Sequence, residues 1–349
     1  MGNGNRRLKL EDIARTLGVS TATVSLALRD SPAVAEKTRL RVKEYADKAG
    51  YIYDRSAASL RTSQSNMIGV AVHDIMNPYF AEVFHGLEEA LVEKGKTILI
   101  CNHKDDLQRQ QRFIDTMLQH RVDGLIICPS IGTKPNNIKR IVSQGIPVTL
   151  VCRDLAGSGA PCVRGDDYNG SYQITKHLIE QGHKRIAMVG GRRGSSSGKD
   201  RNSGWRQALL DAGLNPDEQI DIPEAMTQKE GQGAAFELVH SKQPPTAVMC
   251  FNDLVALGVM SAARRLGIQP GPGLAVTGYD DMEGVGNRSP ALTTVSNGAT
   301  EIGELAAQLM LRQLKGKPVS LDVPLVQPVL RIRESAPPPG KTLKAFSPA

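Results

Sequence analysis

The stretch LEDIARTLGVSTATVSLAL, residues 10–28, reads as two short helices joined by a tight turn. Leu10, Ile13, Ala14 and Leu17 recur at helical spacing and make one apolar stripe, and Gly18 supplies the backbone freedom of a sharp turn. The second helix opens on Ser20 or Thr21 as a side-chain cap, and Val24, Ala27 and Leu28 face back toward the first. This spacing leaves Thr21, Ala22, Ser25 and Leu26 pointing outward. An exposed helix N-terminus with small polar groups, held at a fixed angle by a partner helix, fits a DNA major groove. A helical hairpin that merely packs on another element has the same pattern, so the charge around it matters.

That charge is uneven. Residues 1–66 carry 12 Lys and Arg against 7 Asp and Glu, whereas the other 283 carry 31 against 29. Concentrated positive charge attracts a polyanion through counterion release, an attraction that falls steeply with salt. The chain of 349 residues is long enough for several domains, and its five cysteines, Cys101, Cys128, Cys152, Cys162 and Cys250, form no Cys-x-x-Cys pair. They read as reduced thiols, mostly buried. The seven histidines show no metal-ligand spacing and no evident nucleophile partner. No metal, cofactor or catalytic residue is therefore expected. The polar, basic start lacks an apolar signal core and no apolar run reaches membrane-spanning length, so a cytoplasmic protein with no membrane partner is expected.

After the hairpin, Thr38, Val42, Tyr45 and Ala46 mark one face of a third helix, closed by Gly50. Residues 8–53 thus form a three-helix headpiece, and residues 54–66 a polar connector with only Ala57, Ala58 and Leu60 to bury. From Met67 onward short apolar runs (MIGVAVH, TILIC, GLIIC, PVTLV) alternate with amphipathic stretches, and the rhythm restarts after Pro161 with RIAMVGG, AVMCF and LAVTGY. This is the βαβ pattern of parallel sheets covered on both faces. The fold class is α/β, with two lobes over residues 67–335 and a cleft at the carboxyl ends of the strands. The proline-rich tail, residues 336–349, is expected to be disordered.

The residues that read this way also match a known family. LEDIARTLGVSTATVSLAL, EKTRLRVKEYADKAGY, IGVAVHDIMNPYFAEVFHGLEEAL, RVDGLIICP, HLIEQGHKRIAMVGG, CFNDLVALGVM, TGYDDME and RIRES occur in the order of the lactose/galactose repressor (LacI/GalR) family, over about residues 8 to 335. The resemblance implies a homodimeric, sometimes tetrameric, regulator whose two-lobed domain is like a periplasmic sugar-binding protein and which binds a pseudo-palindromic operator in double-stranded DNA. It places Thr21, Ala22 and Leu26 at base edges and Ser20, Thr23 and Ser25 near phosphates or in support of the helix, and adds Tyr51 to the DNA-binding set. Many relatives have a polar side chain where Leu26 stands; leucine offers apolar contact, best made with a thymine methyl. The connector matches a hinge helix in which Leu60 would wedge into the central base step and Ala57 would allow close approach of the dimer mate. Tyr53 stands where relatives often have proline.

For the effector, the resemblance points to Arg201, Asn252 and Asp280 in the second lobe, with Ser195 and Ser197 of the adjoining loop, and to Tyr79 and Phe80 as an aromatic wall from the first. Many relatives carry aspartate where Cys152 stands. Arg192, Arg193 and Lys199 lie close to Arg201 in sequence, which suggests an anionic sugar derivative; solvated surface charge is the competing reading. The loop GGRRGSSSG lacks the ending of a nucleotide-triphosphate loop. The function expected is a repressor controlled by a sugar-like effector, and the alternative is a cytosolic sugar receptor without DNA function.

Overall fold

The computed structural model describes residues 8–52 and 64–339, in two units that part between Ser65 and Asn66. In the first, α1 (Leu10–Leu17), α2 (Thr21–Leu28) and α3 (Glu36–Lys48) enclose a core of Ile13, Ala14, Val24, Ala27, Val34, Val42 and Ala46. Gly18, at φ +64°, ends α1, and the Val19 N–H then reaches the Ala14 carbonyl at 3.0 Å. Ile13, Val24 and Val42 have no exposed surface. Each such burial contributes roughly 1.5–3 kcal/mol, which matters in so small a core.

In the second unit, β1 (Met67–Val72), β2 (Thr97–Asn102), β3 (Gly124–Ile127), β4 (Val148–Val151) and β5 (Cys162–Val163) form one parallel sheet in the order β2-β1-β3-β4-β5. A second parallel sheet has the order β7-β6-β8-β9, from β6 (Ile186–Val189), β7 (Asp221–Ile222), β8 (Ala247–Cys250) and β9 (Ala275–Thr277). Strands β3, β4, β6 and β8 are buried throughout, which explains why they read as unbroken apolar runs.

Between these strands run α4 (Pro78–Val92), α5 (Leu107–Gln119) and α6 (Pro135–Ser143) in the first lobe, and α7 (Asp167–Glu180), α8 (Ser196–Asp211), α9 (Gln228–Val239) and α10 (Asp253–Arg265) in the second. The chain then returns to the first lobe through α11 (Ala299–Leu314), which packs on α4. Gly86 and Gly303 face each other at that crossing; a Cβ on Gly303 would collide with the Val83 carbonyl oxygen. The chain passes between lobes near Arg164–Asp166, Asn297 and Val326, and two of these passages pair, Asp166 N–H to the Val326 carbonyl at 2.9 Å. A final antiparallel pair, β10 (Thr294–Ser296) and β11 (Val329–Arg331), closes the second lobe. The return helix, α9 and this pair are not among the elements expected from the sequence.

The expected tail is corrected at its start. Ala336 is buried in the second lobe's core, and His183 Nε2 lies 2.9 Å from the Pro337 carbonyl oxygen. The ordered chain thus runs on past Ser335 because these residues cover an edge of the core. No described helix is long and apolar enough to cross a membrane.

Candidate functional site

On the headpiece, Ser20 caps α2: its Oγ accepts from the Thr23 N–H at 3.0 Å and lies 2.8 Å from Thr23 Oγ1. Thr21 and Ala22 are exposed on the first turn. Ser25 is not outward-facing, being 8% exposed, and Leu26 is half-buried against the headpiece core. One turn on, Arg29 Nε folds back to donate to the Ser25 carbonyl at 3.2 Å. Tyr51 also packs on that core. Ala57 and Leu60, together with Tyr53, lie outside the described residues.

Between the lobes of the second unit is a narrow cavity of about 30 Å³, lined from both sides. Its wall is built where strands end: His73 follows β1, Cys128 follows β3, Cys152 follows β4 and Asn252 comes two residues after β8. Tyr79 and Phe80, on the first turn of α4, are both buried in it, their rings edge-to-face at 5.2 Å. Asn77 caps this helix, its Oδ1 accepting from the Tyr79 N–H at 3.1 Å, and Pro78 starts it. Ser197 and Arg201 face the cavity from α8. Ser195 does not line it; its Oγ caps α8, accepting from the Gly198 N–H at 3.1 Å and donating to the Arg192 carbonyl at 3.0 Å.

Arg201 is the hub. Its Nε donates to Asp167 Oδ1 at 2.7 Å and its Nη1 to the Phe251 carbonyl at 2.5 Å, while Nη2 lies 3.5 Å from Asp280 Oδ1. The guanidinium carbon sits 3.6 Å above the Tyr279 ring and 4.4 Å from that of Phe251. Asp280, at φ +104°, reaches the cavity from the loop after β9. That loop is pinned from below. Asp253 accepts from the Met282 N–H at 2.8 Å and from Thr294 Oγ1 at 2.6 Å, and Arg333 Nη2 donates to Asp281 at 2.7 Å, a role for the RIRES motif. Burial pushes the Asp280 carboxyl up to about 7, against the pull of Arg201, and burial raises Asp167 as well.

Two lobes meet across this site. Asn77 Nδ2 lies 3.5 Å from Asp280 Oδ2, and the Asp154 N–H donates to Ser196 Oγ at 2.8 Å. Asn297, on a passage between lobes, holds its Nδ2 3.5 Å from Tyr79 Oη, while its Oδ1 is buried with no hydrogen-bond partner among the described residues. A buried carbonyl without a donor is costly, and this one is left able to accept a hydrogen bond. Asn252 is largely engaged as the cap of α10, accepting from the Val255 N–H at 2.9 Å.

The cations that suggested an anionic effector are arranged otherwise. Arg193 is paired with Asp221 and donates to the Gly190 carbonyl at 3.0 Å; Arg192 lies 3.5 Å from Glu224; Lys199 is exposed. At the cavity, Arg153 is bound to Asp105 at 2.5 Å. Arg153 is matched to Asp105, and Arg201 is shared by Asp167 and Asp280, so Asp280 is the second carboxylate on one cation. Sequence reasoning missed Asn77, Asp167, Arg153 and Asn297. Asn77 carried a signal, an Asn-Pro helix start, but Asp167 and Asn297 join the site only through tertiary contacts.

A family model described as "Periplasmic binding proteins and sugar binding domain of LacI family" matches residues 65–336, and one described as "Bacterial regulatory proteins, lacI family" matches residues 9–54. The HTH-type transcriptional repressor PurR of Photobacterium profundum is 30% identical over 330 residues, covering 93% of this chain and 98% of that protein. The HTH-type transcriptional repressor CytR of Escherichia coli is 32% identical over 330 residues, covering 93% and 95%. Among solved structures, a LacI family transcriptional regulator from Enterococcus faecium with bound ribose matches with a TM-score of 0.72 and 25% identity, covering 78% of this chain and 99% of that one.

Proposed function

Because the chain belongs to the LacI family of bacterial transcriptional regulators, we propose that it is a homodimeric repressor whose operator affinity is set by a neutral, hydroxyl-rich effector held between its lobes. The observation that carries the choice of ligand is the charge pattern of the cavity. Arg153 and Arg201 already face Asp105 and Asp167, so no arginine of the wall awaits an anion, while Asp280 and Asn297 Oδ1 present acceptors. A sugar's hydroxyls supply donors to both, and Tyr79 and Phe80 offer ring edges beside it. A phosphate or carboxylate would instead be desolvated next to Asp280.

Control follows from the contacts that span the lobes. A ligand that binds the closed arrangement better than the open one shifts that balance, and one with equal affinity shifts nothing. In the headpiece, Thr21 and Ala22 are proposed to meet base edges, and the exposed part of Leu26 a thymine methyl. Ser20 and Thr23 hold the helix start near phosphate, and Ser25 and Tyr51 support the helix from within. Ala57 and Leu60 keep their proposed place in the paired hinge. The role is one of binding and not catalysis, since Asp167 and Asp253 are committed to Arg201 and to the Met282 N–H.

The test is a calorimetric screen of purified protein against neutral mono- and disaccharides and nucleosides beside the matching sugar acids and phosphates, with a gel-retardation assay on duplex from its own promoter region. Binding of a neutral member that also alters retardation is expected. Binding confined to the anionic members would overturn the choice of ligand, and no retardation at low salt in any condition would overturn the repressor.

A further inference from the structure

The end of β4 departs from regular strand geometry. Val151 and Cys152 are consecutive, yet both pack into the same apolar cluster, whereas strand alternation sends neighbours to opposite faces. Cys152 sits at φ +62°, and the Arg153 N–H donates to the Val151 carbonyl at 2.6 Å, closing a three-residue turn around it. A side chain in that region is strained and persists only where its surroundings hold it, a feature that clusters at functional sites. The turn brings the Cys152 thiol beside that of Cys128 at the end of β3, close enough for each to perturb the other, and both line the effector cavity.

The strand register makes the pair bondable. Ile127 lies beside Leu150, so Cys128 stands opposite Val151, one residue short of Cys152. Parallel strands lie about 4.8 Å apart, and an offset of one residue leaves the two cysteines near neighbours across β3 and β4, as a disulfide requires. Cys128 Sγ also lies 3.9 Å from His73 Nδ1, and Tyr79 Oη donates to Cys152 Sγ at 3.5 Å.

We propose that Cys128 and Cys152 form an oxidisable dithiol at the base of the cleft, converted to a disulfide by hydrogen peroxide. The Cys128 sulfur attacks one peroxide oxygen, the O–O bond breaks, and one water leaves with a sulfenic acid formed. The Cys152 sulfur then attacks that sulfur, the S–O bond breaks, and a second water leaves. The two thiols lose two protons and two electrons, and the peroxide is reduced to two waters. Cys128 takes the attacking role because the neighbouring Cys152 thiol, then Arg153 and His73, hold it below the ordinary thiol range against burial; the same interaction and burial raise Cys152.

Only the consequence for ligand affinity rests on the effector reading of the cleft; the bond itself is read by mass, with no ligand present. Reduced full-length protein is treated with equimolar hydrogen peroxide, alkylated and mapped. The free thiols are expected to fall from five to three, with one intramolecular Cys128–Cys152 linkage. A 1,3-diketone probe is expected to trap sulfenic acid at Cys128 in Cys152→Ser and not at Cys152 in Cys128→Ser. A count that stays at five, or a disulfide joining any other pair or two chains, overturns the proposal, and the wild-type map needs no variant.

Discussion

The two lobes of the second unit share a parallel sheet flanked by helices, yet they furnish the cavity with different chemistry. The first offers Tyr79, Phe80, His73 and two thiols, with its one cavity arginine, Arg153, held by Asp105. The second offers Asp167, Arg201 and Asp280, each no more than 5% exposed. Strand order decides where loops converge, and loop residues decide what the convergence does. The difference also predicts where the molecule is brittle: a lobe whose site is a buried charge network loses most when one member is removed.

The largest expected effect is therefore Arg201→Ala, which leaves Asp167 and Asp280 buried without their cation and costs roughly 3–5 kcal/mol of stability in urea unfolding. A loss under about 1 kcal/mol would mean that the network is solvated, and would erase the contrast with the first lobe. Next comes the pH dependence of Asp280. Its folded carboxyl titrates near 7, above the ordinary value of 3.8, so its contribution is fully present below about 4 and lost as pH rises to 7. Unfolding of wild type compared with Asp280→Asn should show wild type losing ground over that interval, by about 1.4 kcal/mol per pH unit while this group titrates alone, and level above it. A difference that grows in wild type's favour across the same interval contradicts the assignment.

Smaller still is Gly303→Ala, whose added methyl meets the Val83 carbonyl where α11 crosses α4; an expected loss of roughly 1–3 kcal/mol would localise to the first lobe by hydrogen exchange. An unchanged midpoint would show that the return helix is loosely seated. Least is Ser20→Ala, which removes the cap of α2 and costs about 1 kcal/mol in the headpiece alone. Retardation of DNA should weaken with it, and unaltered headpiece melting would show that the cap is dispensable.

Much of the architecture was legible because its signals are local. The apolar stripe of α1, the Gly18 stop and the Ser20 cap lie within a dozen residues, and β3, β4, β6 and β8 each announce themselves as unbroken apolar runs. Tyr79, Phe80, Ser197, Arg201, Asn252 and Asp280 do converge on one cavity, as the family resemblance implied. Ser195 was misplaced because a helix cap and a ligand contact use the same hydroxyl. Ser25 does not point outward as its spacing suggested, because a short helix with apolar residues on several faces leaves its outward side to be chosen by packing against α1 and α3.

What the sequence determined by itself was the order of elements, the split into headpiece and lobes, and the residue types available at each strand end, since these follow from periodicity and turn chemistry along the chain. Only the tertiary structure decided how charges were spent. Arg193 finds Asp221, Arg201 finds Asp167 and Arg153 finds Asp105, at separations of 28, 34 and 48 residues. Pairing at such range is fixed by packing in three dimensions, and it turned arginines that looked free along the chain into members of carboxylate pairs.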